Sequence, residues 1–164
     1  MSEKIAVYAG SFDPVTNGHV DVARRAREVF GQVVVLLIQN GRKKPLFSQE
    51  ERLELLRQTF AGEDGIQVEK AEGLLVDYMQ KHNLHILVRG LRGPADLEPE
   101  LANAYYNKQF YPKVETVFLP TRTEYAFLSS SAVREAAGYG ADVSSLVPVC
   151  VAKALQKIKE KSSF

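Results

Sequence analysis

The chain has 164 residues, 45% hydrophobic and 25% charged, enough for one full-sized globular core. A formal net charge of +1 argues against bulk electrostatic attraction to nucleic acid or an anionic membrane. The single cysteine, Cys150, excludes an intramolecular disulfide. Its apolar setting, "LVPVCVAKAL", points to a buried structural thiol compatible with a reducing compartment. The N-terminus passes from charged residues straight into a strand-like stretch, without the apolar run and cleavage site of a signal peptide. The longest apolar run, "VVVLLI", is strand-sized and falls far short of the roughly 20 residues of a membrane span. The expectation is one cytoplasmic domain covering residues 1–164, with no nucleic-acid or membrane partner.

Strand-like and helix-like stretches alternate along the chain. "KIAVYA" opens as a strand, and a helix follows from near Val20, with Val22, Ala23, Ala26, Val29 and Phe30 on one face. "QVVVLLI" (32–38) is continuously apolar and β-branched, as a strand covered on both faces should be. Ser48 and Glu51 have capping-box spacing, and Leu53, Leu56 and Phe60 continue the helix behind them. "IQVEKA" (66–71) reads as a strand, 73–82 as a short helix, and "LHILVRG" (84–90) as a strand ending in a charge. A long helix over about 95–110 contains Pro99, which should kink or restart it. "VETVFLP" (114–120) is a further strand. Two helices close the chain, one behind the serines at 129–131 and one beginning near Pro148. This alternation predicts an α/β fold: a Rossmann-like, doubly wound parallel sheet with helices on both faces. Ligands in such sheets bind beyond the carboxyl ends of the strands, where the strand order switches.

The residues at the strand exits share one chemistry. After the first strand come Gly10, the Asp13-Pro14 turn, and Thr16 or Asn17 as a helix cap. Gly18 and His19 then fall in the first helical turn, where free N–H groups and the helix dipole favour anions. Gly10 can supply an unusual backbone angle or a close approach to a ligand. Beyond the second strand lie Arg42, Lys43 and Lys44. Beyond the fourth, "RGLRG" places Arg89 and Arg92 around a glycine, and guanidinium pairs bidentately with phosphate. Beyond the fifth, Ser129, Ser130 and Ser131 open a helix with Arg134 one turn in. Each exit alone reads equally as an ordinary turn, cap or solvated loop. Together they describe a polyphosphate site without an attacking side chain, suited to phosphoryl or nucleotidyl transfer by positioning and charge stabilisation. No Walker motif, G-x-G-x-x-G fingerprint, zinc-spaced Cys/His cluster or G-x-S-x-G elbow is present.

"GSFDPVTNGH" resembles the (T/H)xGH signature of the nucleotidyltransferase superfamily, and "FLSSSAVRE" its second signature, I-S-S-T/S-x-x-R. With "GRKKPLFSQEER", "ILVRGLRGPADLEPE" and the overall length, the whole chain resembles the bacterial phosphopantetheine adenylyltransferases. That resemblance implies transfer of AMP from ATP to 4′-phosphopantetheine, giving dephospho-coenzyme A and pyrophosphate with Mg²⁺. It further implies a homohexamer built as a dimer of trimers, and feedback inhibition by coenzyme A. By motif, His19, Lys43 and Arg92 would be catalytic: His19 at the α-phosphate, Lys43 (preferred over Lys44) at the acceptor phosphate and Arg92 at the ATP phosphates. Gly10, Ser11, Phe12, Gly90 and Leu91 would line the nucleotide, and Glu100 would meet its adenosine end. Tyr125, Ala126, Phe127, Leu128, Ser129, Ser130 and Ser131 would cover adenine and the β- and γ-phosphates. Ser11, Lys43, Leu75 and Arg89 would hold the acceptor, although Leu75 reads equally well as a core leucine. Ser11 stands where threonine is common and keeps the hydroxyl. Ala9 replaces a frequent proline, Tyr125 a tryptophan, and Pro99 an aromatic. The alternatives are a sibling transferase with another phosphorylated acceptor, such as nicotinate mononucleotide or glycerol 3-phosphate, and a noncatalytic nucleotide-binding relative.

Overall fold

A computed structural model describes residues 4–39 and 45–162, with the side chains of the last two left aside. Five strands, β1 (Lys4–Gly10), β2 (Gly31–Ile38), β3 (Ile66–Ala71), β4 (Ile86–Leu91) and β5 (Glu115–Pro120), form one sheet in the order β3-β2-β1-β4-β5. Every neighbouring pair is parallel. The helices are α1 (Asn17–Phe30), α2 (Gln49–Thr59), α3 (Leu75–Lys81), α4 (Pro94–Phe110), α5 (Ser130–Gly138) and α6 (Val149–Ser162). The result is the Rossmann-like, doubly wound sheet expected from the alternation.

Strand periodicity sorts the core into two layers, because successive side chains point to opposite faces. Ala6 and Tyr8 of β1 join Val33, Val35 and Leu37 of β2 against α1, α2 and α6 through Val22, Ala23, Leu56 and Val151. Val7 and Ala9 join Val34 and Leu36 against Val76 and Met79 of α3, with Tyr111 and Val114. Covering both faces requires β2 to be apolar at every central position. Burial of each such valine or leucine contributes about 1.5–3 kcal/mol.

The connection from β1 runs to β2 on one side, and β4 lies on the other, so the order reverses beside β1. The carboxyl end of β1 therefore opens onto the crevice where such folds bind ligands.

α1 begins at Asn17, capped by Thr16, one of the two caps expected, although its apolar pattern starts only near Val20. α4 runs from Pro94 to Phe110 as one helix and does not restart at Pro99. Pro99 sits early in that helix, where its missing N–H removes one backbone hydrogen bond without ending the element. α4 contributes no buried residue; Leu97, Leu101, Tyr105, Tyr106 and Phe110 are all exposed. Cys150 is half-buried, with its thiol beside Thr59 Oγ1 at 3.4 Å and the Leu55 carbonyl at 3.7 Å.

One tight turn sets how β3 enters the sheet. Gly65 has φ 80°, and a Cβ built there would lie 2.8 Å from the Gly31 carbonyl oxygen. Its own carbonyl accepts from Val33 N–H at 2.8 Å, so the turn is held to β2. Gly62, with φ 76°, has nothing within 4 Å of such a Cβ. Gly65→Ala should therefore destabilise the protein by about 3 kcal/mol or more, and Gly62→Ala by only about 1–2 kcal/mol. Thermal denaturation of the two variants side by side checks the difference; equal losses would show that backbone angle alone matters.

Candidate active site

The crevice beyond β1 holds a cavity of about 340 Å³. Of the sequence candidates, Gly10, Ser11, Phe12, His19, Arg89, Gly90, Arg92, Glu100, Tyr125, Leu128, Ser129, Ser130 and Ser131 line it. Leu91, Ala126 and Phe127 do not, and Phe127 is 97% exposed. The Leu91 carbonyl instead accepts from Thr121 N–H at 2.8 Å, joining β4 to the turn after β5. Leu75 opens a second cavity of about 210 Å³, together with Leu87, Asn103, Asn107 and Thr116. Arg89 and Glu100 form the wall common to both cavities. Lys43 and Lys44 lie outside the described residues.

His19 occupies the third position of α1 and is fixed by the helix start itself. Thr16 caps the helix, its Oγ1 accepting from His19 N–H at 3.4 Å. In return Thr16 N–H donates to His19 Nδ1 at 3.0 Å. Such reciprocal capping satisfies two otherwise orphan donors. Its chemical consequence is a fixed tautomer: Nδ1 accepts, so the neutral ring carries its proton on Nε2. Burial first, and then the guanidinium groups of Arg92 and Arg89, lower the His19 pKa from 6.5 to about 4. At neutral pH the ring is a hydrogen-bond donor without charge.

Phe12 holds the ring from below. Its ring meets His19 edge-on at 5.1 Å and Tyr8 at 5.6 Å. Phe12 reaches this position with φ 41°, a left-handed conformation that is uncommon for a bulky residue and concentrated at functional sites. Gly10 leaves space for it. A Cβ there would lie 3.1 Å from the Phe12 ring, so Gly10 provides room for an aromatic support rather than an unusual backbone angle.

The arginines are all engaged. Arg89 pairs bidentately with Glu100, Nε to Oε2 at 2.7 Å and Nη2 to Oε1 at 2.6 Å, while Nη1 donates to the Ala9 carbonyl at 2.7 Å. Glu100, expected at the adenosine end, is turned onto Arg89 in this way. Arg92 pairs with Asp96 through Nε at 2.9 Å and Nη2 at 3.1 Å. That hydrogen-bonded pairing holds the Asp96 carboxyl below its usual range. Ser129 caps α5 by accepting from Ala132 N–H at 3.1 Å, and Ser130 Oγ donates to the Pro14 carbonyl at 2.8 Å. Tyr125 ends a single 3-10 turn over Thr123–Tyr125 and packs against Gly18 of α1.

Two charged residues of the crevice, Asp13 and Arg52, escaped the sequence analysis as site elements. Asp13, 6% exposed, accepts from the backbone N–H of Leu46 at 2.9 Å and of Phe47 at 3.0 Å. Arg134, the arginine that closes the second signature, donates to the Asp13 carbonyl and lies 3.6 Å from its carboxylate. Arg52, 2% exposed, donates to the carbonyls of Ser11 at 2.8 Å and Ser48 at 3.3 Å. A legible signal existed for Arg52: it shares the stripe of α2 that carries Leu56 and Phe60.

A histidine donor at a helix start, backed by arginines at a switch point, is the equipment of a nucleotidyltransferase. Residues 7–136 match the cytidylyltransferase-like family model. The phosphopantetheine adenylyltransferase of Heliobacterium modesticaldum is 47% identical over 157 residues, 96% of this chain and 92% of the relative. That of Carboxydothermus hydrogenoformans is 48% identical over 158 residues, 96% of each chain. That of Thermotoga neapolitana is 48% identical over 157 residues, 95% and 98%. The chain belongs to the cytidylyltransferase-like family and, within it, to the phosphopantetheine adenylyltransferases.

The His19 environment gives a direct prediction for the ligand-free protein. An ¹⁵N-resolved NMR titration should show an Nε2–H ring from pH 8 down to about 5.5, with a midpoint near pH 4. The unfolded chain binds the proton near pH 6.5, so the stability contributed by the neutral ring is complete above that pH. It is lost progressively as pH falls towards 4. A midpoint at 6.5 would mean that burial and the arginines do not act on this ring.

Proposed function

We propose that the protein transfers AMP from ATP to 4′-phosphopantetheine, giving dephospho-coenzyme A and pyrophosphate. What carries this reading is the fixed Nε2–H of His19 in a cavity walled by Arg89, Arg92 and the start of α5, in a chain whose relatives bear that activity as their name. An oxygen of the acceptor phosphate attacks the α-phosphorus in line, the bond to the bridging α–β oxygen breaks, and pyrophosphate leaves. A phosphate monoester has its second pKa near about 6, so its attacking oxygen is largely deprotonated at neutral pH and needs no general base. His19, carrying its proton on Nε2, serves as donor to the α-phosphate oxygens as their charge rises. Arg92 would exchange part of its pairing with Asp96 for ATP phosphate, and the serine-led start of α5 would receive the outer phosphates.

The acceptor would run from the β2 side of the crevice into the second cavity beside Leu75, passing the Arg89–Glu100 pair. Lys43 would meet its phosphate. Leu128 and Tyr125 would cover the base, with Gly10 and Gly90 as backbone neighbours. Mg²⁺ would enter as MgATP. The crevice carboxylates Asp13, Asp96 and Glu100 are each engaged with an arginine, and among the described residues no group of three metal-ligating side chains is gathered. Coenzyme A, which contains the product, would compete for the same crevice. The whole chain, 1–164, is read as one nucleotidyltransferase domain in the cytoplasm, and among the described residues no helix is long and apolar enough to cross a membrane. The exposed apolar side of α4 supports assembly into the homohexameric dimer of trimers that the resemblance implies.

Pyrophosphate release should be seen with ATP and 4′-phosphopantetheine, and not with nicotinate mononucleotide or glycerol 3-phosphate; turnover of either would transfer the protein to a sibling reaction. His19→Ala should lower kcat about 10²–10³-fold while changing ATP affinity far less, the mark of a contact made in the transition state. Equal losses in both would reduce His19 to a binding residue.

A further inference from the structure

Among the described residues, four arginines line the larger cavity, and three have a carboxylate partner: Arg89 has Glu100, Arg92 has Asp96 and Arg134 has Asp13. Arg52 has none among the described residues. It is the most deeply buried of the charged side chains, at 2% exposure. A buried cation without a counter-ion is costly and persists where strong hydrogen bonds hold it. Here those bonds go to two backbone carbonyls from different segments, Ser48 at the cap of α2 and Ser11 just beyond β1.

The complementary contact lies beside it. Asp13, two residues after Ser11, receives the N–H groups of Leu46 and Phe47, just before Ser48. The turn after β1 and the segment leading into α2 are thus joined in both directions, by a carboxylate taking two N–H groups and a guanidinium giving to two carbonyls. Between the two clamps stands Ser11, exposed and facing the cavity. Topology places this pair on the β2 side of the β1 exit. The residues from beyond β4 and β5, among them Arg92, Tyr125 and Ser129, stand on the other side. With the nucleotide on the β4–β5 side, the β2 side is left for the second phosphate.

We propose that Arg52 is a positioning residue for the acceptor phosphate: it pins the Ser11 carbonyl, sets the serine hydroxyl and N–H at the acceptor end of the crevice, and leaves its own positive charge unneutralised behind them. The proposal rests on the adenylyl-transfer reading above. It predicts a burden on one substrate only. A lysine in its place would keep the charge, but an ammonium on a flexible stem does not span two carbonyls as a planar guanidinium does.

The test measures kcat and both KM values by pyrophosphate release for Arg52→Met, Arg52→Lys, Ser11→Ala and the Ser11→Ala/Arg52→Met double variant, with a melting temperature for each. Loss of one charge-assisted contact should raise the acceptor KM roughly tenfold in Arg52→Met and severalfold in Arg52→Lys. The KM for ATP should stay within about twofold of wild type. Because Arg52 acts in part through the Ser11 hydroxyl, its replacement should cost less in the Ser11→Ala background than in the wild type. Three results would overturn the role: an Arg52→Lys enzyme with wild-type acceptor KM, parallel loss for both substrates in step with melting temperature, or an undiminished Arg52→Met effect without the serine hydroxyl. If Arg52→Met does not fold, Arg52→Lys and Ser11→Ala/Arg52→Lys carry the same comparison. A wild-type protein that releases no pyrophosphate from this substrate pair fails the functional reading itself. An active wild type with additive variants fails only the role of Arg52.

Discussion

The hydrogen bond from Thr16 N–H to His19 Nδ1 is the contact on which the chemistry of the crevice depends. A histidine in water exchanges its proton between two nitrogens and gains a second one below pH 6.5. At the start of α1 neither freedom survives. The backbone donor occupies Nδ1, while burial and the two neighbouring arginines disfavour the doubly protonated ring. The same bond closes the helix cap, so fixing the helix and fixing the tautomer are one event. Gly10 and Phe12 extend that constraint: the glycine admits the aromatic ring, and the ring braces the imidazole. Three residue types that look like turn chemistry in the sequence are, in space, the support for one N–H group.

The arginines obey a second constraint, imposed by burial. Guanidinium groups left without partners at the foot of a crevice would cost several kcal/mol each in lost hydration. Arg89, Arg92 and Arg134 are therefore held by carboxylates from nearby helices or from the β1 turn. For Arg92, with Asp96 four residues on, the pair is local and partly exposed, so exchanging it for a phosphate is inexpensive. For Arg89 all three nitrogens are used and the pair is more enclosed, which makes it a fixed wall between the two cavities. The difference in exposure separates an arginine suited to moving onto a ligand from one suited to shaping its path.

Local chemistry was legible in the sequence where one residue or one period decides it. β2 was readable because a strand covered on both faces must be apolar throughout, and α2 because Ser48 and Glu51 form the expected capping box. That the exits of β1, β4 and β5 meet in one crevice was readable from the alternation and the switch-point rule. What stayed hidden depends on distance in space. Thr16 was readable as a cap, but nothing local announces that histidine stands in for the usual glutamate of a capping box. Asp13 looked like a turn residue because its partners, Leu46 and Phe47, lie more than thirty residues away. Arg52 was the avoidable omission, since a cation on the stripe with Leu56 and Phe60 already signals a charge facing inward. Pro99 shows the converse: of the kink or restart that the local rule predicts, the restart does not occur, because the rest of a long helix carries the element through.

Charge counting sets the terms on which two phosphate-bearing substrates can meet here. Among the described residues, four arginines of the crevice face three carboxylates, leaving little net positive charge. A triphosphate and a phosphate monoester together bring about six negative charges. Side chains in the described wall therefore do not neutralise the pair, and the balance falls to sources that arrive with the substrates or lie in the backbone. The dipoles at the starts of α1 and α5 supply partial positive charge at fixed positions. A divalent cation accompanying ATP, as proposed above, would supply more. This division suits the reaction, because charge that enters with a substrate also leaves with its product. A crevice holding full neutralising charge of its own would grip pyrophosphate as firmly as ATP, and release would become the slow step.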